Sequence, residues 1–243
     1  MSVNPVVVVP TYNERSNLAP LVDQLLRHAG LRILVVDDDS PDGTGEEAER
    51  IAAGCERVAA LRRRGRRGLG LSYVDGFRAA LEAGATHVLQ MDADLSHDPA
   101  DVPRLLEASR SADLVVASRY IPGGALRNWP RHRRWLSAFA NHYVRAITRL
   151  PVHDCTSGFR CWRRGLLLQI PLDRIVSDGY AFQVELTWEA ARAGGRIAEI
   201  PIVFVERRLG ASKMSSGVIA ESALLPWRLI AQRGGRSRAA TRP

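Results

Sequence analysis

Two aspartates one residue apart, Asp92 and Asp94, directly follow the apolar stretch Thr86–Met91. That stretch is typical of a buried β-strand, and alternate residues of an extended chain point to the same side. Both carboxylates could therefore face one point at the carboxyl end of the strand, where open α/β sheets bind their ligands. Carboxylate oxygens suit Mg²⁺ or Mn²⁺, with substrate phosphates completing the coordination shell. The alternative is a solvated turn, since aspartate is common after strands.

Two further loops carry acidic or polar residues after predicted strands. Pro10–Glu14 follows Val6–Val9, a continuous β-branched run that is typical of a strand buried on both faces. Asp37–Asp42 follows the strand predicted for Arg32–Val36. Parallel strands end at one edge of a sheet, so both loops should lie beside the aspartate pair. Like charges gathered there repel unless a cation or hydrogen bonds join them, and a metal-bound nucleotide diphosphate would do so.

The elements that must position these loops alternate between strand and helix over the first 118 residues. Apolar residues between Leu18 and Leu26 recur at the spacing of one helix face. The alternation predicts right-handed βαβ units, and hence an α/β fold with a mostly parallel sheet flanked by helices. The dinucleotide fingerprint Gly-x-Gly-x-x-Gly does not follow the first strand. The later predicted strands are Arg57–Leu61, Thr86–Met91, Asp113–Ala117, Thr156–Trp162 and Arg196–Val205.

The pattern changes after residue 118. A loop is predicted for Ser118–Arg134 and an amphipathic helix for Arg133–Leu150. Such a helix face either packs into the core or lies on an anionic membrane surface, and both interpretations stay open. The apolar segment Ser215–Ile230 is interrupted by charge and proline, and the basic tail 233–243 is predicted to be disordered. The apolar face of the predicted helix carries Trp135, Leu136, Phe139, Tyr143 and Ile147, with arginines at its start and flanks.

Length and composition favour a globular protein that works on an acidic partner. The chain has 243 residues, of which 46% are hydrophobic, so it can bury one α/β core. It contains no apolar run of the ~18–20 residues that span a bilayer. The opening Met1–Pro5 lacks the basic region of a signal peptide. Three cysteines without the clustering of metal ligands fit reduced thiols in a cytosol.

The net charge of +8 leaves nucleic acid, an anionic membrane and a phosphorylated substrate as candidate partners. The arginine-rich run Arg62–Arg67 could be a nucleic-acid patch. Aromatic residues are not interleaved with it, so a solvated rim close to a bound nucleotide is favoured, and no nucleic-acid partner is expected.

Seven motifs extend over nearly the whole chain in a fixed order. They are Pro10–Glu14, Asp37–Thr44, Gly68–Gly70, Asp92–His97, Ser118–Tyr120, Thr156–Arg160, and the run from Arg207 through Gly210 to Lys213. In these motifs the chain resembles glycosyltransferase family 2 with the GT-A fold, and within it the polyprenol (dolichol) monophosphate mannose synthases. Some relatives carry a pair of C-terminal transmembrane helices that this sequence lacks.

The resemblance implies a role for individual residues of the donor site. Asp92, Asp94 and Ser96 would hold the divalent metal, although close relatives often have glutamine where this chain has Ser96. The shorter serine can still bind the metal or hold a water. The other implied donor contacts are Pro10, Tyr12 and Glu14 at guanine and ribose, Asp39 at the nucleoside, Asp92 at the diphosphate, and Asp37, Gly70 and Ser157 as further substrate-binding positions.

The resemblance also implies a set of catalytic residues and an acceptor site. Asp94 would act together with Arg119, Arg207 and Lys213, whose cations would face donor and acceptor phosphates. Gly210 and the serines around Lys213 predict a segment that closes over the bound donor. The acceptor phosphate would lie near Arg131, Arg133 and Arg134.

The implied reaction is mannose transfer from GDP-mannose to a polyprenyl phosphate by metal-dependent inverting displacement, with Mg²⁺ or Mn²⁺ as cofactor and a β-linked mannosyl phosphate as product. A polyprenyl phosphate is ionised near neutral pH, so fixed arginines are needed more than a strong base. The alternatives are a polyprenyl phosphate glucosyltransferase that uses UDP-glucose, and a non-catalytic module that binds polyanions.

The resemblance further implies one GT-A domain over residues 1–232, with a nucleotide-sugar half of about 1–118 and an acceptor half of about 119–232. A lipid acceptor implies that the protein works peripherally on the cytoplasmic face of a membrane, through the amphipathic helix and a C-terminal interfacial segment. A membrane-anchoring partner protein would be a further route to the same surface.

Overall fold

The computed structural model describes residues 3–175, 177, 179–206 and 224–231. Its strands are β1 Pro5–Thr11, β2 Arg32–Asp37, β3 Val58–Arg62, β4 His87–Gln90, β5 Leu114–Ser118, β6 Ala125–Arg127, β7 Arg160–Arg163, β8 Ile197–Pro201 and β9 Val203–Val205. Its helices are α1 Arg15–Leu25, α2 Thr44–Gly54, α3 Leu69–Glu82, α4 Val102–Ala108, α5 Arg131–Thr148, α6 Arg164–Leu167 and α7 Gly179–Arg192. Residues 224–231 are also helical, and Pro99–Asp101 and Leu172–Arg174 form 3₁₀ turns.

Seven strands form one sheet in the order β3-β2-β1-β4-β7-β5-β8. Strand β1 lies inside it, parallel to β2 and β4, and β2 is parallel to β3. Strand β5 is parallel to β8. The predicted α/β fold with a mostly parallel sheet and flanking helices is confirmed.

Strand β7 is the exception to the parallel arrangement. It lies between β4 and β5 and is antiparallel to both. The sequence predicts a strand over Thr156–Trp162, but only Arg160–Arg163 pairs. Because β7 runs opposite to its neighbours, it begins at the edge where they end. The residues just before β7 therefore lie at the carboxyl edge of the parallel strands.

The strand predicted for Arg196–Val205 is in fact two strands. Strand β8 stays in the large sheet, whereas β9 pairs with β6 in a separate two-stranded sheet. Strand β8 ends at Pro201. At Ile202 the N–H donates to the Ser118 carbonyl of β5 (3.0 Å) and the carbonyl accepts from Ala125 of β6 (2.9 Å). The chain passes from one sheet to the other at this residue.

Alternate residues of the central strand feed two cores on opposite faces of the sheet. Val6 and Val8 pack with α3 and α7, whereas Val7 and Val9 pack with α1 and α4. This is the pattern expected of a continuous β-branched strand that is covered on both faces. The predicted apolar face of α1 is buried through Leu18, Leu21, Val22 and Leu25.

Only part of the apolar stripe of α5 packs into a core. Tyr143 packs against one core cluster, whereas the earlier residues of the stripe are exposed. Trp135 is 72% exposed, Leu136 51% and Phe139 53%. The side of α5 that faces the protein carries Asn141, Val144 and Thr148. The core interpretation of the stripe is therefore wrong for its first two turns. None of the helices in the described ranges has the length and apolar character that a bilayer-spanning segment needs.

Helix α3 packs unusually closely on the sheet at Gly76. A Cβ placed there would lie 2.4 Å from Val8 Cγ1 and 3.0 Å from Val36 Cγ2. Such contacts are shorter than van der Waals distance, so only glycine permits this approach. The close packing sets how far α3 lies from the central strands, and therefore where its other side chains reach.

We expect the substitution Gly76→Ala to lower the free energy of unfolding by about 1–3 kcal/mol, because a methyl group would overpack the contact with Val8. Urea unfolding followed by circular dichroism measures the change. Gly54→Ala is the matched control, since a Cβ at Gly54 meets nothing within 4 Å. It should be neutral or slightly stabilising. Equal destabilisation by both variants would contradict the packing argument.

Candidate functional site

The three predicted loops meet at the carboxyl edge of the parallel strands. Two of them, Pro10–Glu14 and Asp37–Asp42, are joined by the buried carboxylate of Asp37. This carboxylate accepts hydrogen bonds from Thr11 Oγ1 (3.1 Å), Ser40 Oγ (2.6 Å) and the Ser40 N–H (3.1 Å). A Cβ at Gly45 would lie 2.7 Å from Asp37 Oδ2. The carboxylate of Asp37 thus ties the Pro10–Glu14 loop to the acidic loop and shapes both of them.

The next aspartate of this loop is neutralised by an arginine. The guanidinium of Arg63 pairs with the Asp38 carboxylate and donates from Nε to Asp75 Oδ2 (2.7 Å). The other Asp38 oxygen accepts from the Gly68 N–H (2.8 Å). Arg63 belongs to the basic run Arg62–Arg67, for which the sequence predicts a solvated rim near the nucleotide. Its side chain is instead mostly buried and joins the acidic loop to the start of α3.

The candidate nucleoside contacts Tyr12 and Asp39 lie together at this edge. Arg67 joins them, with Nη1 donating to the Tyr12 hydroxyl (2.9 Å) and Nη2 to the Asp39 carbonyl (2.9 Å). Its guanidinium lies 4.9 Å from the centre of the Tyr12 ring. The Glu14 carboxylate accepts from Asn17 Nδ2 (2.8 Å). Pro10 is buried within β1.

The aspartate pair follows β4 and lines a small cavity of about 50 Å³. Asp94 Oδ1 accepts from the Ser96 N–H (3.1 Å) and from Ser96 Oγ (2.5 Å). Asp92 Oδ1 accepts from the Tyr73 hydroxyl (3.0 Å). Ser96 is buried and orients the Asp94 carboxylate, and its own role as a metal ligand stays a prediction.

The space in front of Asp92 fits a cation. A Cβ at Gly158 would lie 2.9 Å from Asp92 Oδ2 and 3.1 Å from Oδ1, so glycine leaves room beside the carboxylate that any other residue would fill. Within the described ranges, no three His, Cys, Asp or Glu side chains are grouped as metal ligands. Two carboxylates that need further oxygens are what a substrate-completed Mg²⁺ or Mn²⁺ shell uses. Asp92 and Asp94 would hold the ion, which would stabilise a departing diphosphate.

Arg119 lines the same cavity and is fixed by a buried ion pair. It donates to Asp154 from Nε (2.7 Å) and from Nη2 (2.7 Å), and Nη2 also donates to Thr156 Oγ1 (2.8 Å). Burial works against both charges, but the partners outweigh it. The pKa of Asp154 is therefore lowered and that of Arg119 raised. A permanent cation thus stands at the cavity wall.

Of the three arginines proposed for the acceptor phosphate, Arg133 reaches the cavity. Its Nη1 donates to Glu206 Oε1 (2.5 Å), and its guanidinium lies 4.4 Å from the centre of the Trp129 ring. Arg131 and Arg134 are exposed on the first turn of α5, beside the cavity but outside its lining.

Two further candidates have structural partners, and two lie outside the described residues. Ser157 is buried, and its hydroxyl accepts from the Phe159 N–H (3.3 Å). A Cβ at Gly70 would lie 2.6 Å from the Ser177 carbonyl, so α3 passes close to that backbone here. Arg207 and Lys213, with the segment predicted to close over the donor, fall outside the described ranges.

Sequence reasoning missed three residues that hold this site together. Asp154 fixes Arg119, and Tyr73 binds Asp92. Arg160 is fully buried and donates to the carbonyls of Cys155 (2.9 Å) and Ser157 (2.7 Å). Proximity in the sequence was a usable signal for Asp154 and Arg160, which lie at the Thr156–Arg160 motif. Tyr73 gave no signal beyond a hydroxyl on an otherwise apolar helix face.

Comparison with known proteins agrees with this arrangement. Residues 6–170 match the profile of Glycosyl transferase family 2. The chain is 47% identical over 220 residues to the polyprenol monophosphomannose synthase of Mycolicibacterium smegmatis, an alignment that covers 89% of this chain and 83% of the relative. It is 49% identical over 217 residues to the undecaprenyl-phosphate mannosyltransferase of Micrococcus luteus, covering 88% and 89%. The chain belongs to glycosyl transferase family 2.

A solved structure supports the fold assignment. The glucosyl-3-phosphoglycerate synthase of Mycobacterium tuberculosis, in complex with Mn²⁺, uridine diphosphate and glucosyl-3-phosphoglycerate, superposes with a TM-score of 0.68. The superposition covers 97% of this chain and 80% of that one, at 20% identity. The protein is thus a glycosyltransferase with a GT-A-like fold, and the expectation drawn from its motifs is confirmed.

We expect the substitution Gly158→Ala to weaken Mn²⁺ binding by at least ~10-fold, since the methyl group would occupy the space in front of the Asp92 carboxylate. Gly158 does not need a left-handed backbone, so the methyl contact is the main disturbance. Electron paramagnetic resonance of free Mn²⁺, titrated in the presence of GDP, measures the affinity.

The control is Gly165→Ala, because a Cβ at Gly165 meets nothing within 4 Å. This variant should bind Mn²⁺ like the native protein. Native affinity in Gly158→Ala would mean that the cation does not lie in front of Asp92.

Proposed function

We propose that this protein transfers mannose from GDP-mannose to a polyprenyl phosphate, with inversion at the anomeric carbon and with Mg²⁺ or Mn²⁺ as cofactor. The observation that carries the proposal is one cavity that brings the carboxylates of Asp92 and Asp94 together with two guanidinium groups, Arg119 and Arg133; its third carboxylate, Glu206, is paired with Arg133. The names of both curated relatives, a polyprenol monophosphomannose synthase and an undecaprenyl-phosphate mannosyltransferase, support the same acceptor and sugar.

The two kinds of charge suit the two ends of a displacement reaction. Asp92 and Asp94 would hold the cation that stabilises the leaving diphosphate. Arg119 and Arg133 would bind the acceptor phosphate through charge-assisted hydrogen bonds. Arg119 is held by Asp154, so the cation is in place before the substrate arrives and needs little reorganisation.

The proposed nucleophile, a phosphate oxygen, needs no strong general base. A phosphate monoester loses its second proton near pH 6, so it is largely ionised at neutral pH. His97 lines the cavity, and burial lowers the pKa of its imidazole. The ring is therefore neutral near pH 7, and it packs against Phe159 and Phe204, each with a ring centroid 5.2 Å away. We assign His97 to the shape of the site.

The arrangement around Tyr12 and Asp39 supports guanine over uracil as the donor base. Arg67 lies between them, and an arginine fork can bond O6 and N7 of guanine at once, a pair of acceptors that uracil lacks. A UDP-glucose donor is the second candidate. The structural neighbour that holds uridine diphosphate is 20% identical to this chain and bears on the fold alone.

An assay with a short polyprenyl phosphate should therefore give mannosyl product with GDP-mannose and much less product with UDP-glucose. A chelator should abolish the reaction, and Mg²⁺ or Mn²⁺ should restore it. Radiolabelled donor and extraction of the lipid product provide the measurement. Faster transfer from UDP-glucose would reject the proposed donor, and full activity in the chelator would reject the metal.

The matched variant for this assay is Asp94→Asn, which keeps the shape of the side chain and removes its charge. We expect transfer to fall by roughly 100-fold or more, because charge stabilisation at the leaving group would be lost. Thermal unfolding should be close to native, since Asp94 lies at a strand end and contributes little packing. Undiminished turnover would show that Asp94 does not hold the cation.

We further propose that the protein binds a membrane surface through α5 and residues 224–231. The exposed rings of Trp135 and Phe139 stack with centroids 5.8 Å apart. Beside them Trp227 is 58% exposed, and its Nε1 donates to the Tyr143 hydroxyl (2.9 Å), which joins the two helices. Trp and Tyr favour the headgroup level, and each Arg near an anionic surface adds about 1 kcal/mol. Arg131 and Arg134 stand on the first turn of α5 to make such contacts.

We assign this contact to the cytoplasmic face of the membrane. The free thiols Cys55, Cys155 and Cys161 fit a reducing compartment. Burial raises the pKa of Cys155 and Cys161 to about 12, so both are protonated and unreactive at neutral pH. A membrane-anchoring partner protein stays a prediction from the family resemblance.

Replacing both Trp135 and Phe139 by serine should lower binding to anionic vesicles without lowering thermal stability, because both side chains are exposed. Co-sedimentation with phosphatidylglycerol vesicles measures binding, and transfer to the lipid acceptor should fall more than donor binding. The control is Leu168→Ser, since Leu168 is 58% exposed and lies outside this apolar surface. Equal vesicle binding by all three proteins would place the membrane contact elsewhere.

A further inference from the structure

Tyr73 of α3 places a hydroxyl group against the aspartate pair. The residue is fully buried in α3, and its ring is stacked on Phe182 at 5.7 Å with an interplanar angle of 6°. Phe77 lies 5.8 Å away in the same cluster. A phenylalanine would fill this space equally well. The added hydroxyl makes a 3.0 Å hydrogen bond to Asp92 Oδ1, one of the two cavity carboxylates.

The direction of this hydrogen bond follows from the chemistry of the two groups. An ionised carboxylate can only accept a hydrogen bond, so the Tyr73 hydroxyl donates to Asp92. A hydroxyl group is neutral, so it orients Asp92 and adds no positive charge, whereas an arginine would add one.

Tyr73 has little freedom to move relative to Asp92. Helix α3 packs closely on both sides of the residue, at Gly70 against the Ser177 backbone carbonyl and at Gly76 against the Val8 side chain. At Gly158 a Cβ would lie 2.9 Å from Asp92 Oδ2, so glycine leaves space beside the carboxylate that any side chain would fill. The carboxylate is thus held by a donor on a fixed helix and borders this space.

We propose that Tyr73 is a positioning residue that holds the Asp92 carboxylate in its cation-binding orientation. It acts through Asp92 and does not touch the substrate. This inference rests on the proposed function, in which Asp92 and Asp94 bind the divalent cation. Hydrogen-bond donors behind a metal ligand restrict its rotation, so less freedom is lost when the ion binds.

The test compares Mn²⁺ binding by the native protein and by Tyr73→Phe. Electron paramagnetic resonance of free Mn²⁺ in the presence of GDP should give an affinity weakened by ~10-fold in the variant. In steady-state assays the KM for Mn²⁺ should rise by a similar factor, whereas kcat at saturating Mn²⁺ should stay near native. A raised KM for Mn²⁺ with an unchanged kcat is expected when the lost group only orders a metal ligand.

The control is Phe77→Leu, which disturbs the same aromatic cluster and leaves the hydroxyl in place. It should lower thermal stability at least as much as Tyr73→Phe and leave Mn²⁺ affinity unchanged. Native Mn²⁺ affinity in Tyr73→Phe would overturn the proposal, and so would an equal loss of affinity in both variants. If the native protein itself binds no Mn²⁺ with GDP, the cation role of Asp92 fails, and the positioning role fails with it.

Discussion

The constraint on which the structure depends is the gathering of aspartates at one edge of the sheet. A buried carboxylate is costly unless it is paired or hydrogen-bonded, and each of these has a defined partner. Arginines pair with three of them, Arg63 with Asp38, Arg67 with Asp39 and Arg119 with Asp154. Hydroxyl groups donate to three more: Thr11 and Ser40 to Asp37, Tyr73 to Asp92, and Ser96 to Asp94. A hydroxyl orients a carboxylate and leaves its charge in place, which is what a cation-binding pair requires.

The reversed direction of β7 is what brings the second half of the chain to this edge. A parallel strand would begin at the opposite edge, whereas β7 begins beside Asp92. Gly158 therefore lies in front of the carboxylate, and Asp154 reaches Arg119 at the end of β5. Arg160 fixes the turn before β7 by donating to two of its backbone carbonyls, those of Cys155 and Ser157. Burial lowers the pKa of Arg160 to about 10, so the buried side chain still carries its charge at neutral pH.

The sequence predicts most of the parallel sheet and the position of the aspartate pair, because period-2 burial and strand ends are local features. It does not predict the direction of β7, since alternation of side chains is the same in parallel and antiparallel strands. Nor does the sequence predict that Arg133 lines the cavity while Arg131 and Arg134 do not, because this depends on how α5 is rotated about its axis relative to the cavity. The pairing of Arg119 with Asp154 joins residues 35 positions apart, a distance that no local pattern encodes.

Helix α5 connects the two surfaces that the proposed reaction needs. Its first turns carry Arg133 in the cavity and Phe139 on the exposed apolar face. Six residues of helix separate them, a rise of about 9 Å at 1.5 Å per residue. A lipid whose phosphate is bound at Arg133 would therefore have its first isoprene units at the level of the exposed rings. Under the proposed function, headgroup and acceptor phosphates would both lie at the end of α5 where the arginines cluster.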